Sequence, residues 1–193
     1  MKAVAFNGSA RREGNTALLL DAVLEELEAE GIATETVSLA GHDVRGCTAC
    51  YRCYENADGR CVIDDAVNDC IEHMLQADGV ILASPTYFAN VSPELKALID
   101  RAGLVARAND DMLQGKVGAA VVAVRRAGAL PVFDAITHFF LISQMIVPGS
   151  SYWNLGVGRD PGDVTGDTEG METMRTLGAN MAWLLRRLHD RPR

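Results

Sequence analysis

Apolar residues along this chain alternate between short unbroken runs and longer runs at helical spacing. Lys2 to Phe6 is a short apolar run that stops at Asn-Gly-Ser, and from Asn15 onward Leu20, Val23, Leu24 and Leu27 recur at helical spacing up to Gly31. This predicts strand, loop, helix. Thr34 to Leu39 alternates β-branched residues and predicts a second strand, whereas Ala40 to Cys61 has no period and predicts a long loop. Asp64 and Asp65 can cap a helix whose apolar face includes Val67, Cys70, Ile71, Met74 and Leu75. Gly79 to Pro85, GVILASP, reads as a buried strand closed by proline. Ser92 to Val105 predicts a helix with Ser92 as N-cap and Pro93 at its first position. Val117 to Val124 predicts a buried strand, Leu130 to Ser143 a helix, Met145 to Val147 a short last strand and Thr173 to Leu188 a terminal helix.

Strands that are apolar throughout, alternating with helices, indicate a parallel sheet covered on both faces. Five of them fit the α/β flavodoxin-like, doubly wound order 2-1-3-4-5, in which ligands lie beyond the carboxyl ends of the strands at the switch point. The loops after strands one, three and four are therefore expected to carry the site. The 193 residues suit one domain. It is expected to span 1–193, with a cysteine-rich loop at 46–62 and a long loop at 149–170.

Charge and composition narrow the partners. A net charge of -8 opposes binding to nucleic acid or anionic membranes, because phosphate is met by clustered Lys and Arg. No apolar run approaches the roughly 20 residues that cross a bilayer, and the N-terminus lacks the apolar core of a signal peptide. A soluble, cytoplasmic protein with small-molecule partners is expected. In a reducing compartment disulfides are unusual, and a tight cysteine group more often signals metal binding or redox chemistry.

The first loop, NGSARREGNT (Asn7 to Thr16), joins a strand to a helix N-terminus. Its small and hydroxyl residues let backbone N–H groups face an anion, the helix dipole favours negative charge, and Arg11 or Arg12 adds a charged donor. The Walker pattern and G-x-G-x-x-G are both absent. The second loop opens SPTYFANVSPELKALIDR, where Pro85 fixes the backbone and Tyr87 and Phe88 offer a surface for a flat ring. The third, VRRAGALP (Val124 to Pro131), brings two arginines to a flexible turn that can reach a cofactor edge or a second phosphate, such as that of a pyridine nucleotide. The long segment 149–170 suits a functional loop or a subunit contact.

Together these loops resemble the NAD(P)H-dependent flavin reductases and iron–sulfur flavoproteins of the flavodoxin-like superfamily, nearly end to end. The resemblance implies FMN, with Ser9, Arg11, Arg12, Asn15 and Thr16 at its phosphate. It puts Pro85, Thr86, Tyr87, Phe88 and Asn90 along its ring, with Arg126 and Gly128 nearby. Ala10 stands where the family often has Pro, and Arg12 where Lys is frequent; a loop that binds through backbone N–H tolerates both. The implied reaction passes electrons from NAD(P)H or a reduced carrier through FMN to a flavin, quinone, oxygen species or ferredoxin. The resemblance also implies a homodimer or homotetramer, with Tyr152 and Trp153 of the late loop available to a neighbouring subunit.

Four of the five cysteines, Cys47, Cys50, Cys53 and Cys61, give C-x2-C-x2-C-x7-C. This resembles the compact motif of iron–sulfur flavoproteins, which implies a [4Fe–4S] centre on four thiolates, with Arg45, Arg52 and Arg60 offsetting its negative charge. Zinc, disulfides and free thiols are the other readings of the same residues. Cys70, on the apolar face of its helix, reads as a core residue. A cluster-free NAD(P)H:FMN or quinone reductase and a non-enzymatic flavodoxin-like carrier are the alternative functions; the carrier has no need of the cysteine loop or the long late loop.

Overall fold

The computed structural model describes residues 1–189. It contains five parallel strands, β1 (Lys2–Asn7), β2 (Ala33–Ser38), β3 (Gly79–Pro85), β4 (Val117–Val124) and β5 (Leu155–Val157), in the order β2-β1-β3-β4-β5. This is the expected flavodoxin-like order. The helices are α1 (Asn15–Ala29), α2 (Arg52–Asn56), α3 (Ala66–Gln76), α4 (Pro93–Ala108), α5 (Ala129–Ile142) and α6 (Thr168–His189). No helix among the described residues is long and apolar enough to cross a membrane.

Period-two side-chain alternation sorts the core into two layers. Val4, Phe6, Val80, Leu82, Ala120 and Val122 pack with α3, α4 and α5. Ala3, Ala5, Ile81, Ala83, Ala119 and Val121 pack with α1 and α6. The alanines on this second face let two long helices sit close. All eight positions of β4 are buried, which explains why its sequence runs apolar without alternation.

The fifth strand departs from expectation. Ile146 makes only an isolated bridge to Val117, and the strand proper is Leu155–Val157 against Val122–Val124. Pro148 has no N–H to extend the ladder, so the chain leaves the sheet edge and returns to it seven residues later. The segment 149–170 is accordingly not one loop: it holds β5 and a 3-10 turn at Asp163–Gly166. The last helix also starts earlier than its apolar period suggests. Asp167 accepts from Gly170 N at 3.1 Å and Val157 N at 2.7 Å, fixing that start against β5. The cysteine segment likewise contains a short helix, α2, between Cys50 and Cys61.

Candidate functional site

At the carboxyl ends of β1, β3 and β4 lies a cleft of about 220 Å³. The first loop enters it under tight local control: Gly8 N donates to Ala83 O, Ser9 N to Asn7 Oδ1, and Arg11 N to Ser9 Oγ at 3.1 Å. Helix α1 then begins after Gly14, which provides no side-chain cap. A helix leaves its first N–H groups without intrahelical partners; Ala17 N turns back to Gly14 O at 3.0 Å, while Gly14, Asn15 and Thr16 line the cleft at the positive end of the helix dipole. Ser9, Arg11, Asn15 and Thr16 line this end.

Asn15 is committed elsewhere through its side chain. Its Nδ2 donates to Asp160 O at 3.0 Å, and its Oδ1 accepts from Gly162 N at 3.0 Å and Val164 N at 3.4 Å. It therefore ties the first loop to the segment after β5, and only its backbone N–H is left for an anion. Gly158 passes so close that a Cβ there would lie 2.7 Å from Asn15 Nδ2. Through this latch Gly158 and Arg159 become cleft residues.

The second loop closes on itself. Ser84 Oγ accepts from Ser92 N at 3.0 Å, and Thr86 donates to Ala123 O through both N and Oγ1. Between them Tyr87 and Asn90 exchange two 3.0 Å backbone bonds around Phe88 and Ala89, both in the left-handed region (φ 48° and 57°). Such turns favour Asn-Gly, so a Phe-Ala pair stores strain, a feature concentrated at functional sites. Pro85, Thr86 and Tyr87 line the cleft, whereas Phe88 points fully outward at 106% exposure and Asn90 is exposed. Replacing Ala89 by glycine is expected to raise stability by about 0.5–1 kcal/mol, measured by thermal unfolding, because glycine enters this region freely.

The remaining expected residues divide. Arg12 turns away, donating through Nη2 to Ala40 O at 3.0 Å. Gly128 (φ 87°) lets the turn after β4 lie against the hairpin, where a Cβ would meet Ala89 Cβ at 3.3 Å. Arg126 is exposed outside the cleft lining, and Arg125 lines it. Arg11, Arg125 and Arg159 thus surround one cleft, and among the described residues none is in an ion pair.

The four cysteines of the motif line a second, smaller recess of about 20 Å³ against α4, with Arg101, Leu104 and Val105. All are free thiols. Cys47 and Cys50 are exposed, Cys53 is buried and Cys61 is half-buried. Ala49 (φ 52°) and Tyr51 (φ 57°) flank Cys50 in the left-handed region. Alternation of this kind turns successive N–H groups to one side, a concavity found at anion and iron–sulfur sites. Ala49 N already donates to Cys47 Sγ at 3.4 Å. Burial raises the Cys53 thiol, while the N–H of Arg52 and the Thr48 side chain lower that of Cys50. Among the described residues no three His, Cys, Asp or Glu side chains converge closely enough to hold a metal ion. The thiols share a recess without converging. Cys70 is a core residue, its thiol pushed up to about 12 by burial.

A buried clamp absent from the sequence expectations holds this recess. Arg101, 1% exposed, donates to Cys61 Sγ (3.3 Å, Nε), Arg45 O (3.1 Å), Ile63 O (2.8 Å) and the Asp65 carboxylate (2.6 and 2.8 Å). Burial alone would raise the Asp65 carboxyl, but the guanidinium and the N–H groups of Val67 and Arg45 hold it below its usual range. Asn68 accepts from Cys61 N at 2.8 Å and donates to Cys61 O and Ile63 O. Arg45 thus joins the recess through its carbonyl. A cation on the apolar stripe of Leu95, Leu98, Ala102 and Val105 was the available signal.

A flavodoxin-order sheet thus carries at its switch point an uncapped helix N-terminus, Tyr87 and three arginines outside any ion pair, the elements that suit an anionic cofactor with a planar ring. The sequence profile of NADPH-dependent FMN reductases matches residues 1–160, and the chain belongs to that family. An iron–sulfur flavoprotein of Methanocaldococcus jannaschii is 42% identical over 189 residues, covering 94% of this chain and 96% of its own. Among solved structures, RosB with a bound intermediate superposes with a TM-score of 0.74 at 22% identity, over 100% of this chain and 82% of that one. A flavodoxin from an archaeon superposes with a TM-score of 0.63 at 18% identity, over 96% and 99%. These two likenesses establish the fold.

Proposed function

We propose that residues 1–193 form one FMN-binding domain that passes electrons from NAD(P)H, or from a reduced carrier, to a small acceptor by way of a [4Fe–4S] centre. The observation that carries this reading is the cleft itself: open helix N–H groups and three arginines without carboxylate partners, beside Tyr87 at the switch point. Bound FMN supplies hydride acceptance from a nicotinamide and onward transfer of the two electrons; a bound [4Fe–4S] centre supplies single-electron steps.

The chain's own residues bind and orient. Ser9, Arg11, Thr16 and the N–H groups at the start of α1 hold the phosphate, and Pro85, Thr86 and Tyr87 set the ring edge. Arg125 and Arg159, which the first loop does not need, supply charge for the phosphates of a pyridine nucleotide. Cys47, Cys50, Cys53 and Cys61 supply four thiolates, the donor set such a centre requires. The naming of the 42% identical relative as an iron–sulfur flavoprotein supports this over zinc. The acceptor is a flavin, a quinone, an oxygen species or ferredoxin, and the setting is cytoplasmic. Exposed Tyr152, Trp153, Leu141 and Ile142 support a homo-oligomer.

Comparison of FMN with riboflavin tests the cleft. FMN is expected to bind at least tenfold more tightly than riboflavin, and Arg11→Ala to remove most of that preference while leaving riboflavin affinity unchanged. Equal affinities in the parent protein would reject the phosphate cradle.

A further inference from the structure

We propose that Arg101 is the positioning residue for the metal centre: it presents the Cys61 sulfur and, by donating Nε–H to it, sets the centre's reduction potential. The inference rests on the reading of the four cysteines as cluster ligands.

The geometry separates Arg101 from the other cations near the motif. Arg45, Arg52 and Arg60 have exposed or half-exposed side chains, whereas the Arg101 side chain is 0% exposed in its pair with Asp65. Asp65 also caps α3, accepting from Val67 N at 3.1 Å. The guanidinium is planar and its donors are fixed relative to one another. With Nη1 held by Asp65 and Arg45 O, and Nη2 by Ile63 O, the Nε–H has one direction left, and Cys61 Sγ lies there at 3.3 Å. Asn68 meanwhile holds both backbone groups of Cys61. The fourth cysteine is therefore set before any metal arrives, while Cys47 and Cys50 remain exposed to close over it.

A hydrogen bond donated to a ligand sulfur stabilises that sulfur more as negative charge on it grows, which raises the potential at which an electron is accepted. The same helix links this clamp to the cleft. Ser92 caps α4 where the second loop ends, and Arg101 follows nine residues on, about 14 Å along the axis. Shifting α4 would move both centres together.

The test compares Arg101→Lys with the parent protein, both purified and reconstituted anaerobically with iron and sulfide. Lysine keeps a cation for Asp65 but has no donor at the Nε position. Expected results are at least a twofold loss of iron and acid-labile sulfide after desalting, a more negative midpoint potential for the remaining centres by EPR-monitored titration, and FMN affinity within about twofold of the parent. Asn68→Ala, which loosens the same loop without touching sulfur, is expected to lower iron content and leave the potential unchanged. If Arg101→Lys fails to fold, the double variant Asp65→Asn with Arg101→Met removes the donor without stranding a buried charge and is read the same way. Parental iron content and potential in the variant would overturn the role of Arg101 while the cluster reading stands. Failure of the parent protein to assemble a centre would overturn the cluster reading, and this role with it.

Discussion

Arg101→Ala is expected to destabilise the protein by about 3–5 kcal/mol, the range for stranding one partner of a buried ion pair. The side chains of Arg101 and Asp65 are 0% and 6% exposed, so water cannot replace the lost guanidinium. Two backbone carbonyls, Arg45 O and Ile63 O, lose their donor in the same step. For a chain of this size the change lowers Tm by roughly 10 °C. Because these bonds, with those of Asn68, tie segment 45–65 to α3 and α4, that segment is expected to open first. Hydrogen exchange should report loss of protection at Cys61 and Val67 well before the strands. A Tm within about 2 °C of the parent would mean that the clamp does not hold the loop.

Asn15→Ala is expected to weaken both the flavin site and the fold. It leaves Gly162 N, Val164 N and Asp160 O without their side-chain partner; Asp160 is exposed, so water replaces that bond, and the loss is about 1–3 kcal/mol, the usual penalty for one unsatisfied buried group, at Val164 N. It also releases Arg159 from the cleft and loosens the first turn of α1. FMN affinity should fall by tenfold or more, measured by fluorescence quenching. Asn15→Asp keeps the acceptor and should preserve the fold better, yet it adds a negative charge beside the phosphate and should bind FMN no better than alanine. If Asn15→Ala bound FMN like the parent protein, the latch would have no part in the site.

How far the sequence carried depends on the range of the interactions. Parallel strands, helix faces, the caps at Asp65 and Ser92 and the first loop are local patterns, and they were legible. The fifth strand was misplaced because Met145 to Val147 has strand composition while pairing is decided by an edge some 30 residues earlier in the chain; Pro148 was the overlooked sign. Asn15 was assigned to phosphate from its place in the loop, but its partners lie 145 to 149 residues away. The resemblance points to Arg126, but Ala123 faces the α1 side, and strand parity carries Arg125 rather than Arg126 to the cleft. Arg101 follows the exposed Lys96–Asp100 pair in sequence, which masks its place on the apolar stripe of α4.

The cysteine spacing was visible at once, and the machinery that holds it was not. Asn68, Arg101 and Asn109, which accepts from Gly59 N at 3.0 Å, come from two helices downstream of the motif. Each reads in sequence as an ordinary polar helix residue.

The most direct measurement is an absorption spectrum of the protein purified without oxygen, with flavin, iron and acid-labile sulfide quantified on the same sample. The account predicts flavin bands with about one FMN per chain, a broad shoulder near 400 nm, and about four iron and four sulfide per chain. Protein that carries neither flavin nor iron, and takes up neither on reconstitution, would contradict it.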